Sequence, residues 1–125
     1  MKRILIYIGL LFTVFLAMVS CYKDINIPAV PPNSEGPPQY VSYSTDLSPL
    51  FDSNCSSCHA PGGHHPYLTP DVSYNALVNG GYVNTVVPKE SILYIKINGS
   101  MQQYIPLASD RQKVYDWIRN GAPNN

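Results

Sequence analysis

Charged side chains are sparse in this sequence and are nowhere gathered into a patch. Its 125 residues include 8 lysines and arginines and 8 aspartates and glutamates, so charged residues make up 13% and the net charge is +0. A typical globular domain has about 25% charged residues. Nucleic-acid binding depends on a concentrated basic face, and the sequence provides none. We therefore expect no nucleic-acid partner. No internal repeat is visible either, and one small domain is expected.

The only extended apolar segment is short for a membrane span. Lys2 and Arg3 are followed by 16 uncharged and almost entirely apolar residues, 4–19. As a helix this segment is about 24 Å long at ~1.5 Å per residue, whereas a bilayer core is ~30 Å thick. A basic start, a short apolar stretch and small residues at its end indicate a secretory signal. A buried or membrane-anchoring helix is the alternative.

The end of this segment, Met18-Val19-Ser20-Cys21, resembles the lipobox of bacterial lipoproteins. The resemblance implies a lipoprotein signal peptide over residues 1–20 and a lipidated Cys21 as the first residue of the mature chain. Several acyl chains anchor a protein firmly, because each buried methylene contributes ~0.8 kcal/mol. We therefore expect a protein anchored by lipid to a membrane of the bacterial cell envelope, on the periplasmic or cell-surface side. An ordinary secretory signal with an incidental cysteine is the alternative.

Residues 21–43 contain Cys21 and five of the 12 prolines. Because proline interrupts helices and central strands, this segment is predicted to be an extended tether, or alternatively an irregular first loop of the domain. Residues 44–125 are the predicted domain. From Asp46 onward it has 80 residues, near the size at which a side-chain core alone gives comfortable stability. A bound apolar cofactor helps to fill such a core.

Apolar residues at helical spacing predict helices in four places, and hence an all-α domain with long loops. The first apolar stripe consists of Leu47, Leu50, Phe51 and Cys55. It leads into a pair of cysteines, and Pro49 suits the first turn of this helix. The second precedes two glycines: Tyr74, Leu77, Val78. The third segment, 91–97, is compatible with helix or strand by periodicity, and its flanking residues favour a helix: Ser91 as a cap, Asn98 and Gly99 as a stop.

The fourth helix has the clearest signals. Ser109 and Gln112 predict a capping box at its start. Gly121 predicts its end. Its apolar stripe is expected to pack into the core: Val114, Trp117, Ile118.

The stretch Asn54-Cys-Ser-Ser-Cys-His59 fits C-x-x-C-H, the pattern of covalent c-type haem attachment. Each thiol adds to one vinyl group of haem, and Cys55 and Cys58 on one helical turn reach both vinyl groups. His59 then supplies an axial nitrogen to the iron.

Three other uses of these residues are open. A structural zinc ion needs four ligands, which His59, His64 and His65 could complete together with the two thiols. A redox dithiol is expected after a strand within a βαβ pattern, and no such pattern is visible. A simple disulfide between Cys55 and Cys58 is the third alternative.

The domain resembles monohaem cytochrome c beyond this motif. Asp46-Leu-Ser-Pro-Leu-Phe51 is similar to the family's N-terminal helix. Val114-Tyr-Asp-Trp-Ile118 followed by Asn120-Gly-Ala122 is similar to the C-terminal helix of small bacterial cytochrome c domains, including those on lipoproteins. The resemblance implies a small helical domain wrapped around one covalent haem c. It also implies that its terminal helices cross, with Phe51 and Trp117 as the expected contact.

The same resemblance implies the other groups around the iron. His59 is the proximal ligand. Met101 lies where the family has its distal methionine, and it is the only methionine that remains after signal removal. Pro66 matches the proline whose carbonyl accepts a hydrogen bond from the proximal imidazole. His64 or His65 is the alternative distal ligand, and iron that binds neither is five-coordinate and open to small ligands.

These features predict a membrane-anchored monohaem cytochrome c that carries single electrons between redox proteins of the envelope. Such a carrier turns over no substrate and is not an enzyme. One alternative is a haem protein with an open iron site that acts as a sensor or in peroxidase-like chemistry. Another is a haem-free envelope module that a zinc ion or a disulfide staples.

Overall fold

The computed structural model describes residues 36–125. The predicted signal peptide and Cys21 lie outside this range. Four α-helices follow one another: α1 Ser48–Cys55, α2 Ser73–Val78, α3 Ile92–Ile97 and α4 Ala108–Arg119. A π-helical turn, Tyr43–Leu47, leads directly into α1, and two 3₁₀ turns, Pro88–Glu90 and Gln102–Tyr104, precede and follow α3.

The described residues contain no strand, and 48% of them are helical, which confirms the predicted helical class. All four predicted helices are present, and long loops connect them. No helix within residues 36–125 combines the length and the apolar character needed to cross a bilayer.

The capping hydrogen bonds predicted at the starts of α3 and α4 are wrong. Ser91 occupies the N-cap position of α3, but its hydroxyl makes no cap hydrogen bond. It instead accepts from the Asn84 backbone N–H (2.8 Å), so it holds the preceding loop. The Ser109–Gln112 capping box does not form, because α4 begins earlier, at Ala108. Gln112 donates to the Asp116 carboxylate (2.9 Å).

The predicted end of α4 at Gly121 is confirmed. Gly121 has a φ of +90°, a conformation that costs other residues free energy. Its N–H donates to the Ile118 carbonyl (3.0 Å), and the next N–H, from Ala122, donates to the Trp117 carbonyl (2.9 Å). This is a Schellman motif, which satisfies carbonyls that the helix end leaves without partners.

The core is centred on the π-helical turn, α1 and α4. Phe51 and Trp117, the residues expected to touch, are both fully buried in one cluster. Tyr43 packs against both rings, with centroid distances of 6.4 Å to Phe51 and 5.2 Å to Trp117. Its hydroxyl donates to the Ser73 hydroxyl (2.7 Å) on α2. Tyr43 therefore connects three helices through one side chain.

Residues 36–44, most of which the sequence assigns to the tether, pack onto the end of the domain. Val41 and Tyr43 are only 2% and 3% exposed. Arg119 donates to the Gly36 carbonyl (2.5 Å), and Asn120 donates to the Gln39 carbonyl (2.8 Å). These residues therefore pack against the helical part of the chain.

Tyr43 generates a test of the core. Burial raises its pKa to about 12 from 10.0, although the Ser73 hydrogen bond opposes that shift. The unfolded chain loses this proton near pH 10 and the folded chain keeps it, so stability falls as pH rises from about 10 to about 12. Tyr43→Phe should remove this component of the alkaline slope. It should also cost about 1–3 kcal/mol at neutral pH, because Ser73 loses its partner.

Urea unfolding at a series of pH values measures both effects. Tyr40→Phe is the matched control, because the Tyr40 side chain is 81% exposed, and it should keep the wild-type slope. Equal slopes for Tyr43→Phe and the wild type would show that the Tyr43 hydroxyl is not held neutral by the core.

Candidate functional site

One cavity of about 580 Å³ lies between α1, α2, α3 and the loops that join them. Its volume is within the usual range of small-molecule and cofactor pockets, about 300–1,000 Å³. Most of its deep wall is made by buried apolar side chains: Phe51, Leu68, Leu77, Leu93, Ile97, Ile105. Every site residue predicted within residues 36–125 also lines it: Cys55, Cys58, His59, His64, His65, Pro66, Met101.

The C-x-x-C-H motif begins where α1 ends. Cys55 is the last residue of α1. The N–H groups of Cys58 and His59 both donate to the Cys55 carbonyl, at 3.1 and 2.9 Å. Because these bonds continue the helical turn, the two thiols and the imidazole project from one compact segment. All three side chains line the cavity.

The His59 imidazole is hydrogen-bonded to the carbonyl of Pro66. The Nδ1 atom lies 3.0 Å from the Pro66 oxygen. A carbonyl oxygen can only accept, so Nδ1 carries the proton and Nε2 of the neutral ring has a free lone pair. The Leu68 N–H also donates to the His59 carbonyl (2.6 Å). Ring orientation and tautomer are therefore both set by one loop.

Gly63 allows this loop to close, and the sequence analysis did not identify it. A Cβ atom at Gly63 would lie 2.4 Å from the Cys58 carbonyl oxygen, a distance that real Cβ atoms do not show. The loop is fixed there by two backbone bonds, from Gly63 to Ala60 (2.8 Å) and from His64 to Cys58 (2.9 Å). The signal that could have revealed it is the pair Gly62-Gly63 shortly after the histidine.

Met101 reaches the cavity from the segment that follows α3. Its N–H donates to the Lys96 carbonyl (2.8 Å), and its carbonyl accepts from the Tyr104 N–H (3.1 Å). Its side chain lines the cavity and is 37% exposed. The chain therefore brings a thioether to the same cavity as His59, although Met101 lies 42 positions later in the sequence.

The two alternative distal histidines lie on the loop that also holds His59. The His64 ring is edge-on to His59, with a centroid distance of 6.5 Å. The His65 ring stacks on Tyr67 at 4.0 Å. Both histidines therefore belong to the same short segment as His59. Met101 comes from a separate segment.

The two thiols of the motif are free. Burial, and to a lesser degree the neighbouring Cys58, raises the pKa of Cys55 to about 11. Redox-active dithiols instead have lowered pKa values, because the thiolate is the nucleophile. Cys55 is thus protonated at neutral pH and is unlike the attacking thiol of a redox dithiol.

A structural zinc ion needs a closed set of side-chain ligands. Within the described part of the chain, no three histidine, cysteine, aspartate or glutamate side chains converge as a metal-binding group. A haem iron has a different requirement, because the porphyrin itself supplies the equatorial nitrogens and the protein adds axial ligands.

Comparison of the chain with protein-family models, curated proteins and solved structures finds no match.

Gly63→Ala is expected to disrupt the loop that holds His59. The added methyl group must displace the Cys58 backbone, at a cost of about 1–3 kcal/mol typical of overpacking. The backbone hydrogen bonds from His64 to Cys58 and from Leu68 to His59 should weaken. Amide hydrogen exchange at His64 and Leu68 measures this directly. Ser57→Ala is the control, since Ser57 is exposed on the same segment. Unchanged exchange in Gly63→Ala would contradict the close approach.

Proposed function

We propose that this protein is a monohaem cytochrome c that carries single electrons between redox proteins. The observation that carries the proposal is the environment of His59. Its Nδ1 is bonded to the Pro66 carbonyl at 3.0 Å, and its ring lines an apolar cavity together with both thiols of the motif. This arrangement leaves Nε2 with a lone pair for a metal while two cysteines are available for covalent attachment.

The donor set fits haem better than it fits the other ligands considered. Haem is large and mostly apolar, and the deep wall of the cavity is apolar. The two free thiols can each form one thioether with a vinyl group, and both thiols face the cavity. The imidazole of His59 and the thioether of Met101 are the axial pair common in electron-transfer cytochromes.

The residues of the chain have separate tasks in this proposal. When bound, haem supplies a one-electron iron couple. Cys55 and Cys58 retain it, and the Pro66 carbonyl orients His59 and increases its basicity as a ligand. Met101 favours the reduced state, because His/Met ligation raises the reduction potential. The buried leucines and isoleucines of the wall exclude water. No group in this arrangement has to bind or transform a substrate, so we propose a carrier and not an enzyme.

The proposal includes a place in the cell. Cys21, with the lipobox-like residues before it, supports a lipid anchor in a membrane of the bacterial envelope. The proline-rich residues after it would hold the domain away from that membrane. A tether of this kind raises the effective concentration of a carrier near membrane-bound redox partners.

Absorption spectroscopy of the protein, made in a host that matures c-type cytochromes, is the first test. We expect a pyridine haemochrome of the c type, and haem that stays with the chain on a denaturing gel. Cys55→Ser with Cys58→Ser should abolish the covalent signal, because no thioether can form. Ser56→Ala with Ser57→Ala is the matched control within the same motif. A wild-type protein without haem would overturn the proposal and leave a haem-free envelope module.

The same preparation tests the anchor through cell fractionation. Haem signal should sediment with membranes in the wild type and move to the soluble fraction in Cys21→Ser. A Cys21→Ser protein that still sediments would remove the lipid anchor from the proposal and leave the haem site untouched.

Met101→Ala tests whether the protein is an electron carrier or an open-site haem protein. If Met101 binds iron, the variant loses the weak red-region sulfur-to-iron band of the oxidised form, and its reduction potential falls. Spectroelectrochemical titration measures both changes. An open-site sensor or peroxidase-like protein should be almost unaffected.

His64→Ala and His65→Ala are the controls, because both histidines line the same cavity. They should leave the red-region band and the potential unchanged. Loss of low-spin character in either variant, with Met101→Ala unaffected, would assign the distal position to that histidine.

A further inference from the structure

The cavity wall contains a single lysine or arginine, Lys96 on α3. Apart from the histidines, no other lining side chain carries a charge, and no aspartate or glutamate is among them. Lys96 is an exposed residue, so it lies at the open edge of this apolar wall. An anion that binds there gains a charge-assisted hydrogen bond without burial of the lysine. The ligand of the cavity is one source of such an anion.

Three other basic side chains of the described domain are already bound. Arg111 donates to the carbonyls of Ile105 (2.6 Å) and Pro106 (2.7 Å). The remaining two form ion pairs with carboxylates on their own helix, Lys113 with Asp110 at 3.3 Å and Arg119 with Asp116 at 3.2 Å.

Lys89 lies in the 3₁₀ turn before α3 and is not part of the cavity wall. Among the five lysines and arginines within residues 36–125, Lys96 is the one that lines the cavity. It is also the one whose charged group is bound to no side chain or carbonyl.

The backbone of Lys96 is hydrogen-bonded to that of Met101, the proposed distal ligand. Its carbonyl accepts from the N–H groups of Met101 (2.8 Å) and Gly99 (3.2 Å). Lys96 and Met101 are therefore held together by a backbone hydrogen bond while both side chains line the cavity. A ligand that fills this cavity therefore has both side chains on its wall.

We propose that Lys96 binds a carboxylate of the cavity ligand, which is a haem propionate. This inference rests on the proposed haem function and adds a charge-pairing residue to it. The ammonium group donates charge-assisted hydrogen bonds to the carboxylate. Its positive charge also opposes the additional positive charge of oxidised iron, so Lys96 raises the reduction potential.

Lys96→Gln tests the inference in the full-length, haem-loaded protein. We expect a lower reduction potential than in the wild type and a shift of the propionate bending band in the resonance Raman spectrum. Lys96→Arg keeps the charge and should restore both values toward those of the wild type. Lys113→Gln is the matched control, because it removes an equal charge from a residue outside the cavity wall.

The outcomes separate this inference from the proposed function. If haem is attached in Lys96→Gln but the Raman band does not move, Lys96 does not bind a propionate. If Lys113→Gln lowers the potential equally, the effect is one of overall charge and the assignment is wrong. Absence of covalent haem from the wild type would overturn the proposed function itself, and this inference with it.

Discussion

The hydrogen bond between His59 and the Pro66 carbonyl is the constraint on which the geometry of the site depends. It exists only if the chain reverses direction within a few residues after the helical turn that carries both cysteines. That reversal requires a residue without a side chain at Gly63, because the Cys58 carbonyl occupies the place of its Cβ. The bond then decides which imidazole nitrogen faces the cavity with a lone pair. A backbone contact thus sets the chemistry of a side chain.

The remaining walls are short helices that depend on packing more than on their own hydrogen bonds. Helices α2 and α3 have six residues each, and isolated helices of that length are not stable in water. Each buries its apolar face toward the cavity and the core, with Leu77 from α2 and Ile97 from α3. In the proposed function the bound cofactor completes this packing, so binding of the ligand and stability of the domain are coupled.

Sequence patterns were sufficient to predict the helical class, the four helices and the end of α4, since these depend on local spacing and on one glycine. The resemblance to monohaem cytochrome c brought Pro66 and Met101 into consideration, and both line the cavity. The predicted capping hydrogen bonds were wrong, because the two side chains bind other groups. Ser91 accepts from the Asn84 N–H, and Gln112 donates to the Asp116 carboxylate. Gly63 and Lys96 were missed, because a close backbone approach and a charge without a partner become visible only in three dimensions.

The bonds that join residues 36–44 to the end of the chain determine how the domain bears mechanical load. A pull on the chain before Gly36 is transmitted first to Arg119 and Asn120, at the end of α4. Helix α4 contributes no side chain to the cavity, whose walls belong to the other three helices and their loops. In the proposed function, a pull through the tether therefore meets bonds to the terminal helix before it reaches α1, which ends at Cys55.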